Sequence, residues 1–141
     1  MMTVTKINTD DILKIAYDIR KKVFVDEQHV PMEMEIDEHE DDAIHFICSD
    51  GEKYVGTSRL RFVDGFGKLE RICVLKEARG NHYSKDLIQA MEDEIIHHHY
   101  QEARLSAQTH AIGLYKSAGY HVISDEFLDA NIPHVEMKKK L

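Results

Sequence analysis

The chain has 141 residues, of which 43% are hydrophobic and 31% charged, a composition typical of one water-soluble globular domain. Its formal net charge of -8 argues against a general nucleic-acid binder and against binding to an anionic membrane surface. Cys48 and Cys73 lack metal-ligand spacing, and no apolar run approaches the roughly 20 residues of a membrane span. We therefore expect a single cytoplasmic domain over residues 1–141 with no metal site.

The N-terminal part of the chain is predicted to form a short strand near Val4 and then a helix. Thr9-Asp10-Asp11 supplies a cap and an acidic first turn for that helix, and apolar residues continue at helical spacing through Val23. Pro31 should end regular structure. The acid-rich segment that follows is predicted to be an exposed loop or a short second helix.

Three apolar stretches separated by turn residues then predict an antiparallel meander. They are residues 43–49, 54–63 and 69–74. Because side chains alternate along a strand, parity places Glu70, Ile72 and Val74 on one face of the third strand.

The third strand leads into a basic loop and a long amphipathic helix. Leu87, Ile88, Met91 and Ile95 recur at spacings of three and four, which predicts one buried stripe. Backbone N–H groups that are free at the start of such a helix form an anion site. Since Arg79 and Lys85 add positive charge on either side, we predict that this junction holds a phosphate.

The C-terminal part reads as a strand, a helix and a final pair of strands. Residues 103–108 form the strand, 111–118 the helix with Gly119 as its stop, and 120–123 and 127–137 the last two strands. His97, His98 and His99 point about 100° apart on a helix, so they do not share a face for a metal ion.

Four blocks between Arg20 and Met137 resemble the GNAT superfamily of acyl-CoA N-acyltransferases. Arg79-Gly80-Asn81-His82-Tyr83-Ser84 is similar to its pyrophosphate loop, [RQ]-x-x-G-x-[GA], although His82 and Ser84 replace small residues. Residues 111–120, AIGLYKSAGY, are similar to the second signature, A-x-x-[FL]-Y-x-x-x-G-[FY]. The other two blocks, R-x-x-V-F-x-x-E-Q-x-x-P from Arg20 onward and the ending 127–137, resemble the ElaA-like branch.

The resemblance implies an α+β fold. Its central twisted sheet is mixed but mostly antiparallel, has helices on both faces, and contains two splayed parallel central strands, here those of Leu69 and Leu105. The implied cofactor is acetyl-CoA, whose pantetheine arm would enter between these strands while the loop cradles the pyrophosphate. Gln108 falls where many relatives carry an Asn that bonds the pantetheine. The implied cofactor-binding residues are Ile72, Cys73, Val74, Arg79, Gly80, Asn81, His82, Tyr83, Ser84, Lys85 and Gln108.

The chemistry implied is direct transfer of an acetyl group to a primary amine of a small molecule or peptide. Tyr115, at the matching motif position, would stabilise or protonate the departing thiolate. Glu70 is the first candidate for the base by its strand position, followed by Glu27 and His134. Candidate acceptor-binding residues are Glu27, Glu35, Asp37, His45, Arg59, Arg71 and His134. The acids suggest a cationic amine and the arginines a carboxylate, which could be opposite ends of one amino-acid-like molecule.

Two other functions fit the sequence. The substitutions at His82 and Ser84 leave open a non-catalytic acyl-CoA sensor. The acidic surface leaves open an interaction module for a basic partner. We expect no nucleic-acid or membrane partner, and a homodimer is compatible with the implied fold.

Overall fold

A mixed sheet organises the chain in the computed structural model, which describes residues 2–141. The strands are β1 (Thr3–Lys6), β2 (Ile44–Ser49), β3 (Tyr54–Val63), β4 (Phe66–Val74), β5 (Glu102–Gln108), β6 (His121–Val122), β7 (Phe127–Asp129) and β8 (Ile132–Lys140). The helices are α1 (Asp10–Arg20), α2 (Met32–Glu35), α3 (Tyr83–His97) and α4 (Ile112–Ser117). Helix α1 continues directly into a π-helical segment, Lys21–Glu27. Within the described residues, no helix is long and apolar enough to cross a membrane.

The strand order is β1-β2-β3-β4-β5-β8-β6, with β7 added to β8. Strands β4 and β5 are parallel, and the other neighbouring strands are antiparallel. The β4–β5 register runs only from Gly67↔Ala103 to Leu69↔Leu105, although both strands continue beyond it. The predicted α+β fold with two splayed parallel central strands is confirmed.

Helices cover both faces of the sheet. The predicted stripe of α3 is buried against the sheet together with Leu60 and Leu69. On the opposite face, Ala16 and Ile19 of α1 pack against Ile47. The predicted cap of α1 is also present, since Thr9 Oγ1 accepts a hydrogen bond from the Ile12 N–H at 3.4 Å.

A bulge interrupts β4 at Arg71. The register moves from Arg59↔Glu70 to Thr57↔Cys73, so β4 has one more residue than β3 here, and Arg71 has a φ of 54°. An extra residue reverses the alternation of side chains. The prediction that Glu70 shares a face with Ile72 and Val74 is therefore wrong. The latter two pack in the cluster that contains the α3 residues, whereas Glu70 binds arginines.

Two further local predictions are refined. The acid-rich segment forms the short helix α2, but Glu35 within it is only 1% exposed. The predicted last strand is a hairpin, β7–β8, because Ala130 and Asn131 both have positive φ, at 51° and 62°. Two such residues form the tight turn that matches the twist of a hairpin.

Candidate active site

A cleft of about 660 Å³ opens where β4 and β5 diverge. Its walls come from β4, the ends of β5 and β8, helix α4, and the π-helical segment. The cleft lining includes many of the predicted site residues and their neighbours: Glu27, Gln28, Glu35, Lys68, Glu70, Arg71, Ile72, Cys73, Val74, Arg79, Ser84, Gln108, Tyr115 and His134. The splayed strands thus bring the candidate catalytic residues and part of the phosphate loop to one opening.

The loop before α3 has the geometry of an anion site. Gly80 and His82 have φ values of 89° and 64°, and α3 begins immediately afterwards at Tyr83. In the described part of the chain, no hydrogen bond uses the backbone N–H groups of residues 80–85. His82 is exposed. A left-handed conformation favours glycine, which gives a physical reason for the glycine of the related loops at this position.

Arg79 already binds an anionic side chain. It donates from Nη1 and Nη2 to the two carboxylate oxygens of Glu27 at 2.6 and 2.7 Å, and from Nε to the Val74 carbonyl at 3.0 Å. The hydrogen bonds from Arg79 lower the pKa of Glu27. The carboxylate therefore lies in the guanidinium fork that we predicted for a phosphate.

A second contact crosses the cleft beside this ion pair. Gln108 Nε2 donates to Gln28 Oε1 at 2.7 Å. The end of the π-helical segment is therefore tied both to the phosphate loop and to the end of β5. The contact between Gln28 and Gln108 has no local sequence signal, because the two residues are 80 positions apart.

Tyr115 is held as a neutral phenol. Burial, together with the nearby Cys73, raises the pKa of Tyr115 to about 12. Its ring lies edge-on to that of Tyr120, with the centroids 6.3 Å apart, and the Tyr120 hydroxyl donates to Glu92 at 2.8 Å. Tyr115 can therefore donate a proton at neutral pH.

Glu70 is poorly suited to take a proton. It accepts hydrogen bonds from Arg61 Nε at 2.8 Å and from Arg59 Nε at 3.1 Å. Burial acts to raise the pKa of Glu70, but the hydrogen bond from Arg61 and the charge of Arg59 outweigh it and lower the pKa. A carboxylate in this setting is a weaker base than an ordinary one, so the geometry does not favour our first candidate.

The hydrogen bonding of His134, unlike that of Glu70, suits the side chain to accept a proton. Its Nδ1 lies 2.7 Å from the Ile132 carbonyl oxygen, which can only accept, so Nδ1 carries the hydrogen. The ring also stacks on Phe127, with the centroids 5.9 Å apart, and is 8% exposed. A neutral imidazole in this tautomer keeps a lone pair on Nε2 and can accept a proton there.

The predicted acceptor residues divide into two groups. Glu27, Glu35, Arg71 and His134 line the cleft, whereas Asp37, His45 and Arg59 are not among its lining residues. Arg59, 1% exposed, donates to Asp37 at 2.7 Å, and His45 donates from Nε2 to the Glu40 carbonyl at 2.8 Å. The structure therefore places these three residues next to the cleft lining, and Asp37 contacts Arg71 of that lining at 3.3 Å.

Arg20 and Glu40 complete the buried ion-pair network behind the cleft. Arg20 donates from Nε to Glu35 at 2.6 Å and from Nη2 to Glu40 at 2.7 Å. The sequence indicated Arg20 only as the first residue of a motif, and it indicated no role for Glu40. A buried charge pair carries no local sequence signal because an isolated Glu is usually solvent-exposed.

The comparisons with known proteins agree with this geometry. A model described as an acetyltransferase (GNAT) domain matches residues 6–141. The uncharacterized N-acetyltransferase YjcF of Bacillus subtilis is 47% identical over 131 residues, which are 92% of this chain and 94% of that protein.

Two crystal structures show the same fold. ElaA of Escherichia coli superposes with a TM-score of 0.87 at 22% identity, covering 99% of each chain. An acyl-CoA N-acyltransferase from Pseudomonas aeruginosa gives a TM-score of 0.84 at 23% identity, covering 99% of this chain and 98% of the other. The predicted superfamily is confirmed, and the fold is the one expected for the predicted branch. The chain is an acyltransferase that belongs to the acetyltransferase (GNAT) family.

Proposed function

We propose that the protein transfers an acetyl group from acetyl-CoA to a primary amine of a small molecule or peptide by direct attack. The observation that carries this proposal is that a proton donor, Tyr115, and a proton acceptor, His134, line the same cleft. That cleft also reaches the anion site at the start of α3.

The residues of the chain fit a nucleotide-tailed thioester. The unused N–H groups of residues 80–85 and the guanidinium of Arg79 would hold the diphosphate, and the backbone of Ile72, Cys73 and Val74 would pair with the pantetheine amides beside Gln108. When bound, acetyl-CoA supplies the activated acetyl group and a thiolate leaving group.

Two side chains move the protons that the reaction requires. An amine reaches the site mostly as an ammonium, which has no lone pair with which to attack a carbonyl carbon. We propose that His134 accepts the ammonium proton at Nε2, in place of Glu70. Tyr115 donates its phenolic proton to the departing sulfur, and the second proton that the nitrogen loses on becoming an amide restores the phenol.

The test is release of free thiol from acetyl-CoA across amino acids, polyamines, aminoglycosides and peptide N-termini. We expect turnover with at least one class. Calorimetry with acetyl-CoA gives the alternative outcomes: tight binding without thiol release indicates an acyl-CoA sensor, and no binding at millimolar cofactor indicates an interaction module.

The base is tested by His134→Gln, which keeps a polar side chain of similar length. Because positioned proton transfer contributes about 100-fold or more, we expect turnover to fall by at least that factor with unchanged acetyl-CoA affinity. Glu70→Gln is the comparison variant. A larger loss of turnover in correctly folded Glu70→Gln than in His134→Gln would return the role to Glu70.

A further inference from the structure

Arg71 occupies an unusual backbone position in the wall of the cleft. Its φ of 54° lies in the left-handed region, which a side chain with a Cβ rarely adopts. Residues held in such conformations by the surrounding structure cluster at active sites and ligand clamps. The bulge turns Arg71 into the cleft, where 24% of its side chain is exposed.

The ion-pair network next to Arg71 has more cationic than anionic groups. In the described part of the chain, five cationic side chains share four carboxylates. The cations are Arg20, Arg59, Arg61, Lys68 and Arg71, and the carboxylates are those of Glu35, Asp37, Glu40 and Glu70. His45 adds no charge near neutral pH because burial lowers its pKa. One positive charge is therefore left without a carboxylate of its own.

Arg71 is the arginine with the weakest contacts in this network. It lies 3.2 to 3.3 Å from two backbone carbonyls and from Asp37 Oδ2, and Asp37 also binds Arg59 at 2.7 Å. By contrast, Arg20 contacts Glu35 at 2.6 Å and Glu40 at 2.7 Å. The pKa of Arg71 is lowered chiefly by burial and next by the charges of Arg59 and Arg20. This direction agrees with an uncompensated positive charge.

We propose that Arg71 binds a carboxylate of the acceptor, so that the acetylated substrate is an amine that also carries a carboxylate, such as an amino acid. This inference rests on the proposed function, since it concerns the acceptor of that reaction. A guanidinium matches a carboxylate through two parallel N–H···O bonds. Lys68, which lines the same cleft, adds positive charge on this side.

The test compares amino acids with their carboxamides, which differ in the anionic group alone. A hydrogen-bonded charge pair of this kind corresponds to a factor of about 10 to 100. We expect kcat/KM for the amino acid to exceed that for the carboxamide by about this factor. In Arg71→Gln, KM for the amino acid should rise by a similar factor, and the carboxamide values should stay nearly unchanged.

Two variants serve as controls. Arg71→Lys keeps the charge and the fold but loses the planar fork, so it should lose part of the preference for the amino acid. Arg61→Gln removes another arginine of the network. Arg61 contacts Glu70 and is absent from the cleft lining. It should keep the preference.

The possible failures are distinguishable. Equal turnover of amino acids and carboxamides, or a preference for phosphate-bearing amines, would overturn the inference and leave the proposed function standing. If no amine is acetylated, the proposed function fails, and calorimetry of amino acids and carboxamides with the CoA-loaded protein still tests Arg71. If amino acids bind more tightly than carboxamides and Arg71→Gln abolishes the difference, the carboxylate site at Arg71 is supported. If the two ligands bind equally, the site is ruled out.

Discussion

Tyr115 illustrates how one partly buried side chain bears on the proposed chemistry of the cleft. Since burial raises its pKa to about 12, the phenol stays protonated well above neutral pH and can act as a donor. We predict that Tyr115→Phe, which removes only the hydroxyl, lowers turnover by about 100-fold or more and leaves acetyl-CoA affinity within about twofold. Thiol release and calorimetry measure the two quantities. Unchanged turnover would remove Tyr115 from the proposed role.

Glu27 would compete with the proposed diphosphate for the guanidinium of Arg79. Its carboxylate lies in the fork of Arg79, so a diphosphate must displace it. Both side chains are partly exposed, and exposed pairs are worth at most about 1 kcal/mol. We predict that Glu27→Gln tightens CoA binding by about two- to fivefold, with a smaller effect at high salt.

Pantetheine is the matched control ligand for this variant because it lacks the diphosphate. Its affinity should be the same for the wild-type protein and Glu27→Gln. Weaker CoA binding by the variant would mean that Glu27 supports the loop and does not compete for it.

At the scale of elements, β4 packs closely against α3 at Gly67. A Cβ at this position would overlap the buried side chain of Ile95. We predict that Gly67→Ala lowers the free energy of unfolding by about 1 to 3 kcal/mol. Urea denaturation measures the change.

Gly113 in α4 provides the control for this substitution. A Cβ there would meet no atom within 4 Å, and alanine is the better helix former by about 1 kcal/mol. Gly113→Ala should therefore leave the unfolding free energy unchanged or raise it. If both variants behave alike, the close approach of β4 and α3 at Gly67 is not a packing constraint.

At the scale of the whole molecule, the buried ion-pair network connects α1, α2, β3 and β4. Burial acts to raise the pKa of Glu40, but the hydrogen bonds and charge of Arg20 outweigh it and lower the pKa from 4.5 to about 2. The pKa of Asp37 is likewise well below its usual value, because the hydrogen bonds from Arg59 and the His39 N–H outweigh burial.

A carboxylate whose pKa is lower in the folded state than in the unfolded state stabilises the fold above its unfolded pKa. The stabilisation is lost as the pH falls through the folded value. We predict that the free energy of unfolding declines as the pH falls from 4.5 towards about 2, with Glu40 contributing on the order of 3 kcal/mol. Urea unfolding midpoints at successively lower pH measure this decline.

Glu40→Gln is the variant that isolates this contribution. It should be less stable at neutral pH because Arg20 loses a buried partner, and its stability should depend less on pH over the acid range. A variant with the same acid dependence as the wild-type protein would contradict the assignment to Glu40.

The sequence by itself determined the elements that local periodicity specifies. The buried stripe of α3, the bounds of β3 at Tyr54 and Val63, and the cap at Thr9 all follow from patterns within a few residues. The motif blocks identified the superfamily, and with it the splayed strands, because they lie at the loops and strand ends that form the cleft. Alternation failed at Arg71, where one inserted residue reversed the faces of β4.

The tertiary structure alone decided which charged groups meet. Glu27 and Arg79 are 52 positions apart, Arg59 and Asp37 are 22 apart, and Arg71 and Asp37 are 34 apart. No local pattern encodes such pairs, because ion pairing depends on distances that arise only when strands and helices pack. For that reason the sequence favoured Glu70 as the base, whereas in the folded chain Glu70 is paired with arginines and the His134 side chain lines the cleft.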